Sequence, residues 1–182
     1  MKSFILLNLF ALTTSFVCGQ NISNLDSANG FKMFKLGTSR NQYISYINNS
    51  HYIEKNHTYS IEVNKFSSLG MAFGSKVSTI SLEFDGDDKL RSITIPYALL
   101  PYNKNVNPKE IFKEAEISLG PPSDTSLGNE GSKYYNWVGK KVVLTLNIEL
   151  VTASDQQYWY REVVFQNYPD TISGKKSAAT VF

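Results

Sequence analysis

The side chains able to ionise, coordinate or attack are few in this chain, and few of them keep useful company. There are two histidines, His51 and His57, and one cysteine, Cys18. A zinc site takes three or four ligands in a tetrahedron, and this histidine pair supplies two at most. Triad hydrolysis needs a nucleophile beside a histidine, and no Gly-x-Ser-x-Gly elbow occurs, so it is not expected. Asp85, Asp87 and Asp88 crowd together as calcium ligands do. A calcium loop, however, wants Gly at its sixth position and Glu at its twelfth, whereas here Gly86 is second and Lys89 fifth, so a hairpin turn is the expectation. Gly37, Gly70 and Gly74 are scattered and make no phosphate loop. Glycosidase chemistry needs two facing carboxyls, which distant strands can bring together, and Glu83, Glu149 and Glu162 all fall on expected strands. Acids on the wet face of a sheet are the commoner outcome. The expectation is a chain without metal or cofactor that is not an enzyme.

The denser signal is aromatic. Tyr134, Tyr135 and Trp137 lie in one expected strand, and Tyr158, Trp159 and Tyr160 in another. Alternation puts neighbours on opposite faces, so some rings must point outward. Tyr135, Trp137, Trp159 and Tyr160 are the candidate contact surface for a protein or glycan partner, because rigid rings give contact area with little entropy loss. The competing reading is cross-strand packing that stiffens the sheet.

These residues need elements to hold them. Residues 20–29 are polar and read as an extended lead-in, and residues 31–36 as a short strand ended by Gly37. Ser39 and Gln42 fit a capping box, with Tyr43, Ile44 and Ile47 on one helical face. Tyr59, Ile61 and Val63 alternate with polar residues, as do Ile80, Leu82 and Phe84, and residues 85–88 turn the latter into a return strand over 89–95. In that turn Gly86 is expected to take the positive φ. Residues 96–107 hold Pro, Asn and Tyr and read as a connector. Asn107 as cap, Pro108, Glu110, the stripe Ile111, Phe112, Ala115 and Leu119, and Gly120 before two prolines spell a helix. After a polar loop over 123–131, strands are expected over 133–138, 140–151 and 157–168. In the middle one Val142, Leu144, Leu146, Ile148 and Leu150 face one way, and the face bearing Thr145, Asn147 and Glu149 is more polar.

The class is therefore α+β, an antiparallel sheet with two short helices on one face. Its organisation reads as a first half over residues 20–107, a second over 108–170 and a flexible tail over 171–182. The halves match in layout as a diverged repeat would, with little identity between them.

Composition bounds the rest. Residues 1–19 have a basic start at Lys2, an apolar run and small residues near a cut before Gln20, the anatomy of a cleaved leader, and the run is shorter than the roughly 20 residues a bilayer span needs. Export to the periplasm, cell surface or medium is the expectation. Cys18 lies inside the leader, so the secreted form has no cysteine. Acylation of Cys18 is the rival reading, against which stands Val17, bulky where lipoprotein signals carry a small residue. With 18 basic and 16 acidic residues, nothing favours nucleic acid, whose binding rests on neutralising many phosphates. Asn21, Asn48 and Asn56 each begin an N-glycosylation pattern.

The ordered series Phe34-Lys35-Leu36-Gly37-Thr38-Ser39-Arg40, Leu82-Glu83-Phe84, Asp88-Lys89-Leu90, Leu119-Gly120-Pro121-Pro122 and Tyr135-Asn136-Trp137-Val138-Gly139-Lys140 resembles small secreted proteins of Gram-negative bacteria. In layout it is similar to the SmpA/BamE outer-membrane assembly lipoproteins and to the beta-lactamase inhibitor protein. The resemblance spans about residues 31–150 and implies a binding or scaffolding module. An inhibitor of a secreted or periplasmic enzyme, acting through the loops at 96–107 or 123–131, is the alternative, and a carboxylate-dependent hydrolase the third.

Overall fold

The computed structural model describes residues 22–168 except 49–50, 54–56, 64–66, 104–106 and 129–130. The leader expected over 1–19, Cys18, the sequon residues Asn21 and Asn56 and the tail expected over 171–182 lie outside the described residues. The described residues open with helix α1 (Ile22–Ala28) and a tight hairpin of β1 (Gly30–Phe31) and β2 (Phe34–Lys35). A 3-10 turn (Arg40–Tyr43) runs into the short helix α2 (Ile44–Ile47). Then come β3 (His51–Ile53), β4 (Thr58–Glu62), a small hairpin of β5 (Met71–Ala72) and β6 (Ser75–Lys76), β7 (Thr79–Phe84), β8 (Leu90–Pro96) and β9 (Leu100–Pro101). Helix α3 (Glu110–Leu119) precedes β10 (Asp124–Leu127), β11 (Lys133–Val138), β12 (Val142–Ala153) and β13 (Gln156–Asn167).

The fold is α+β, built on a mainly antiparallel sheet with three short helices. Its strand order is β10-β11-β12-β13-β8-β7-β4-β3, with β9 added on β13. Strands β3, β4, β7 and β8, preceded by α1 and α2, form one four-stranded array, and β10 to β13, preceded by α3, another; the two meet along β8 and β13, where Ile93 faces Phe165 and Ile95 faces Val163.

One face of the sheet is dry. Val142, Leu144, Leu146 and Ile148 of β12, Val163 and Phe165 of β13, Ile93 and Ile95 of β8, and Ile80, Leu82 and Phe84 of β7 are all buried, as the two-residue alternation requires. The helical layer covers this face with rings. Phe31 lies 6.1 Å from Phe165, Tyr43 6.5 Å from Phe84, and Phe112 of α3 4.4 Å from Tyr135. In α3, Ile111, Ala115 and Leu119 are buried at four-residue spacing, one stripe of a 3.6-residue helix. The Asn107 side-chain oxygen accepts from the Lys109 amide at 3.0 Å, one turn before the helix proper.

Several local expectations give way to tertiary contacts. Residues 22–28, expected extended, form α1. Their composition is a weak helix former, and the helix is held instead by burial of Leu25 and by Asp26. The Asp26 carboxylate accepts from the amides of Lys140 (2.8 Å), Lys141 (2.9 Å) and Val142 (3.2 Å), clamping the β11–β12 turn. Burial pushes this carboxyl up, but the three amides and the nearby Lys141 outweigh it and hold it below the ordinary 3.8. Ser39 makes no side-chain cap; its backbone bridges to Lys89 instead. Ile44 is half exposed while Tyr43 and Ile47 are buried, because the segment starts as a 3-10 turn and its faces rotate.

In the β7–β8 turn the left-handed residue is Asp88, at φ 57°, and not Gly86. Asp85 accepts from the amides of Asp87 and Lys89, and Asp88 pairs with Arg40 at 2.9 Å. Two of the three aspartates thus have structural work within the fold. The expected connector contains β9, and the expected loop over 123–131 contains β10, whose residues are all exposed. A strand without an apolar face leaves no periodic signal. Gly30 is needed in its tight hairpin: at φ +135° a Cβ there would lie 2.3 Å from the Phe34 carbonyl oxygen.

Candidate functional site

Strands β12 and β13 have twelve residues each and outrun their neighbours. Strand β11 pairs with β12 only as far as Ile148, and β8 pairs with β13 from Glu162 onward. Beyond those points the hairpin projects as an arm, closed by Ser154 and Asp155, both at positive φ. That two-residue geometry matches the right-handed twist of the strands. Short β9 lies along the base of the arm, with Pro101 opposite Tyr158 and Leu100 opposite Trp159. The Tyr102 amide extends this contact by donating 3.0 Å to the Gln157 carbonyl.

A cleft of about 710 Å³ lies here, lined by Pro101, Tyr102, Thr152, Asp155, Gln156, Gln157 and Tyr158. Tyr102 is 55% exposed and its ring centroid stands 5.7 Å from that of the partly buried Trp159. The Tyr158 hydroxyl donates 2.7 Å to the Gln156 amide oxygen, fixing both. Flat rings, two amides and one carboxylate are a set that can stack on a ligand and hydrogen-bond its rim.

The four rings expected to share one contact surface are divided. Trp137 is wholly buried and Tyr135 nearly so. Both face the helical layer, where Phe112 lies 6.2 Å from the indole and the indole N–H donates 2.8 Å to the Gly120 carbonyl. Neither can touch a partner, so the contact role expected of them is corrected to a core role. Tryptophan and tyrosine on the odd positions of β11 share the parity of Leu144 and Leu146 on β12, with Trp137 opposite Leu144 and Tyr135 opposite Leu146. Trp159 is not itself in the cleft lining but backs Tyr102, which is. Tyr160, one residue on, emerges on the opposite face. Tyr102 was missed as a site residue because nothing in a Pro-Asn-rich connector announces a strand that docks on β13.

The outer face of the sheet holds a second grouping. Tyr134, Asn147 and Glu162 stand in one cross-strand row, and Glu149 faces Tyr160 in the next. Ser132 Oγ donates 3.2 Å to Glu149, and the Tyr160 hydroxyl donates 2.7 Å to Glu162. Burial first, and then the field of Glu162 and Glu149, pushes the Tyr160 phenol far above its ordinary value; Tyr134 moves up for burial and the same two carboxylates. Of the three acids singled out in the sequence, the fold therefore gathers Glu149 and Glu162. It leaves Glu83 on β7, in a salt bridge with Arg91. His57 is exposed in a turn, and the side chain of His51 lies outside the described residues. Among the described residues no group of three or more His, Cys, Asp or Glu converges on a metal position, and no helix is long and apolar enough to cross a membrane.

No family model, no curated protein and no solved structure matches the chain.

Proposed function

We propose that the chain is an exported, non-catalytic binding module that grips a protein or glycan partner in the cleft between the β12–β13 arm and β9. The observation that carries this reading is the exposed Tyr102 ring set 5.7 Å from Trp159, at the rim of a cleft edged by Gln156 and Gln157. Rings pre-positioned by strand pairing lose little entropy on contact, and side-chain amides fix the orientation of what they touch. The leader-like composition of residues 1–19 supports export, and the layout resemblance to the outer-membrane assembly lipoproteins and the beta-lactamase inhibitor protein supports binding over catalysis.

The test is affinity capture from the cell envelope and medium of the source, using leaderless protein and a Tyr102→Ala, Trp159→Ala double variant, followed by a glycan array. A partner or glycan retained by the native protein and lost by the variant, with the variant still folded, is expected. Equal retention by both would remove the cleft from the reading. An inhibitor is the second reading, favoured by the fact that the 96–107 segment itself supplies Tyr102. A panel of secreted hydrolases separates the two, because only the inhibitor slows an enzyme.

A further inference from the structure

On the outer face of β11, β12 and β13, Asn147 stands in one row between Tyr134 and Glu162. It is only 3% exposed although it lies on the sheet face away from the helices, and its side-chain oxygen has no hydrogen-bond partner. A buried carbonyl without a donor is a costly arrangement that calls for an explanation. Glu162 stands directly opposite it on β13, and Glu149 follows two residues along β12. The two glutamates are diagonal neighbours, their stems roughly 7–8 Å apart, within reach of one object held between their carboxylates.

Neither carboxylate has a base beside it among the described residues. Glu162 accepts from the Tyr160 hydroxyl and Glu149 from Ser132. Among the described residues, Asn147 Oδ1 has no donor, and the only donors to the two carboxylates are these two hydroxyls. The Tyr134 and Tyr160 phenols, both pushed up in pKa by burial and then by these two glutamates, are neutral and add no positive charge. Two carboxylates and an unpartnered amide oxygen on one patch suit a species that accepts nothing and carries positive charge.

We infer that Glu149, Glu162 and Asn147 form a binding site for a hard divalent cation of the calcium class. The donor set is all oxygen, two charged and one neutral, with Ser132 Oγ alongside, and no nitrogen or sulfur that would favour zinc. Long glutamate arms on a twisted sheet suit the loose geometry of calcium better than the near-ideal octahedron magnesium demands. Water completes the shell on the open side. With two carboxylates the affinity falls on the order of 10⁻⁴–10⁻³ M, the range of extracellular modules. A lysine ammonium from a partner would match the charge, but the Asn147 oxygen has almost no accessible surface, so a small ion reaches it more easily than the end of a bulky arm. This site is independent of the cleft, since Glu149 and Glu162 do not line it.

The test is tyrosine-sensitised terbium luminescence, with Tyr134 and Tyr160 as built-in donors. The native protein should give saturable emission that calcium displaces. Glu149→Gln and Glu162→Gln, each isosteric, should each weaken terbium binding about tenfold or more, while Glu83→Gln on the same face leaves it unchanged. Calcium should also raise the melting temperature of the native protein and not of the Glu149→Gln, Glu162→Gln double variant. Emission that is absent, or equal in the native protein and the folded double variant, would overturn the site and leave the patch to a partner's ammonium group.

Discussion

The indole N–H of Trp137 and the carbonyl oxygen of Gly120 are joined by a 2.8 Å hydrogen bond that ties the end of α3 to the end of β11. Trp137 has no exposed surface, so the indole N–H end of this partly buried bond lies in the core, and its loss removes a donor from the Gly120 carbonyl. Trp137→Ala should cost about 3–5 kcal/mol, the usual price of emptying a large aromatic site. Trp137→Phe should cost less. Urea unfolding of both variants measures this, and a near-native midpoint for Trp137→Ala would contradict the core assignment.

Asp26 gives the fold an acid-sensitive clamp. Its folded pKa lies below the ordinary 3.8, so its contribution is complete above that value and is lost as pH falls through the folded pKa. Asp26→Asn should lower stability at neutral pH by about 1–2 kcal/mol, the scale of charge-assisted hydrogen bonds in a partly exposed site. The gap between native and variant should close below about pH 4. Melting temperatures across pH 2–7 are the measurement, the expected result being two curves that converge in acid. Gly139→Ala should mimic the loss at neutral pH, since its Cβ would stand 2.3 Å from an Asp26 carboxylate oxygen.

Arg161 is a buried cation with thin compensation. It is 5% exposed, donates to the Ala98 carbonyl at 2.9 Å and lies over the Tyr97 ring, but its Nε has no partner. Burial pushes its pKa down; Tyr97 and Glu110 only partly restore it. Replacing such a charge by an apolar residue of similar volume is often neutral or stabilising by about 1–4 kcal/mol. Arg161→Met should therefore melt at or above the native temperature. A clear fall would mean that the cation is held more firmly than its contacts indicate.

Tyr160 separates the two faces of β13 in a single experiment. Its hydroxyl bonds Glu162 on the outer face, whereas Trp159 backs the cleft residue Tyr102. Tyr160→Phe should leave partner capture by the cleft unchanged while altering terbium emission, and Trp159→Ala should do the reverse. Parallel capture and luminescence on the two variants check this, and co-variation of both readouts would merge the two sites.

The sheet was legible where burial is one-sided. Ile80, Leu82 and Phe84, or Val142 through Ile148, alternate because one face is dry, and the periodicity is the physical cause of the fold. Helix α3 was legible because its stripe and its stop residues agree. What stayed hidden has no apolar rhythm: α1 is held by Leu25 and a clamp reaching residues 140–142, β10 is exposed throughout, and β9 exists because β13 has an edge to offer. The site was half legible for the same reason. Composition marked the aromatic strands, but parity relative to a partner strand decides which rings are dry, and register is a tertiary fact. Glu149 and Glu162 were readable as strand acids, while their meeting over Asn147 depends on the β12–β13 pairing.

The seam between the two four-stranded arrays carries a consequence for folding. Strand β8 offers Ile93 and Ile95 to β13, the last strand described. Until Val163 and Phe165 pair, the first array stands with a long, apolar, hydrogen-bond-hungry border, the kind of edge that recruits other chains. Pairings so distant in sequence close slowly, because the intervening chain must be ordered first. The folding chain is thus most vulnerable to aggregation in the interval before β13 pairs with β8, and it is protection of an open strand border, rather than of helices, that its folding calls for.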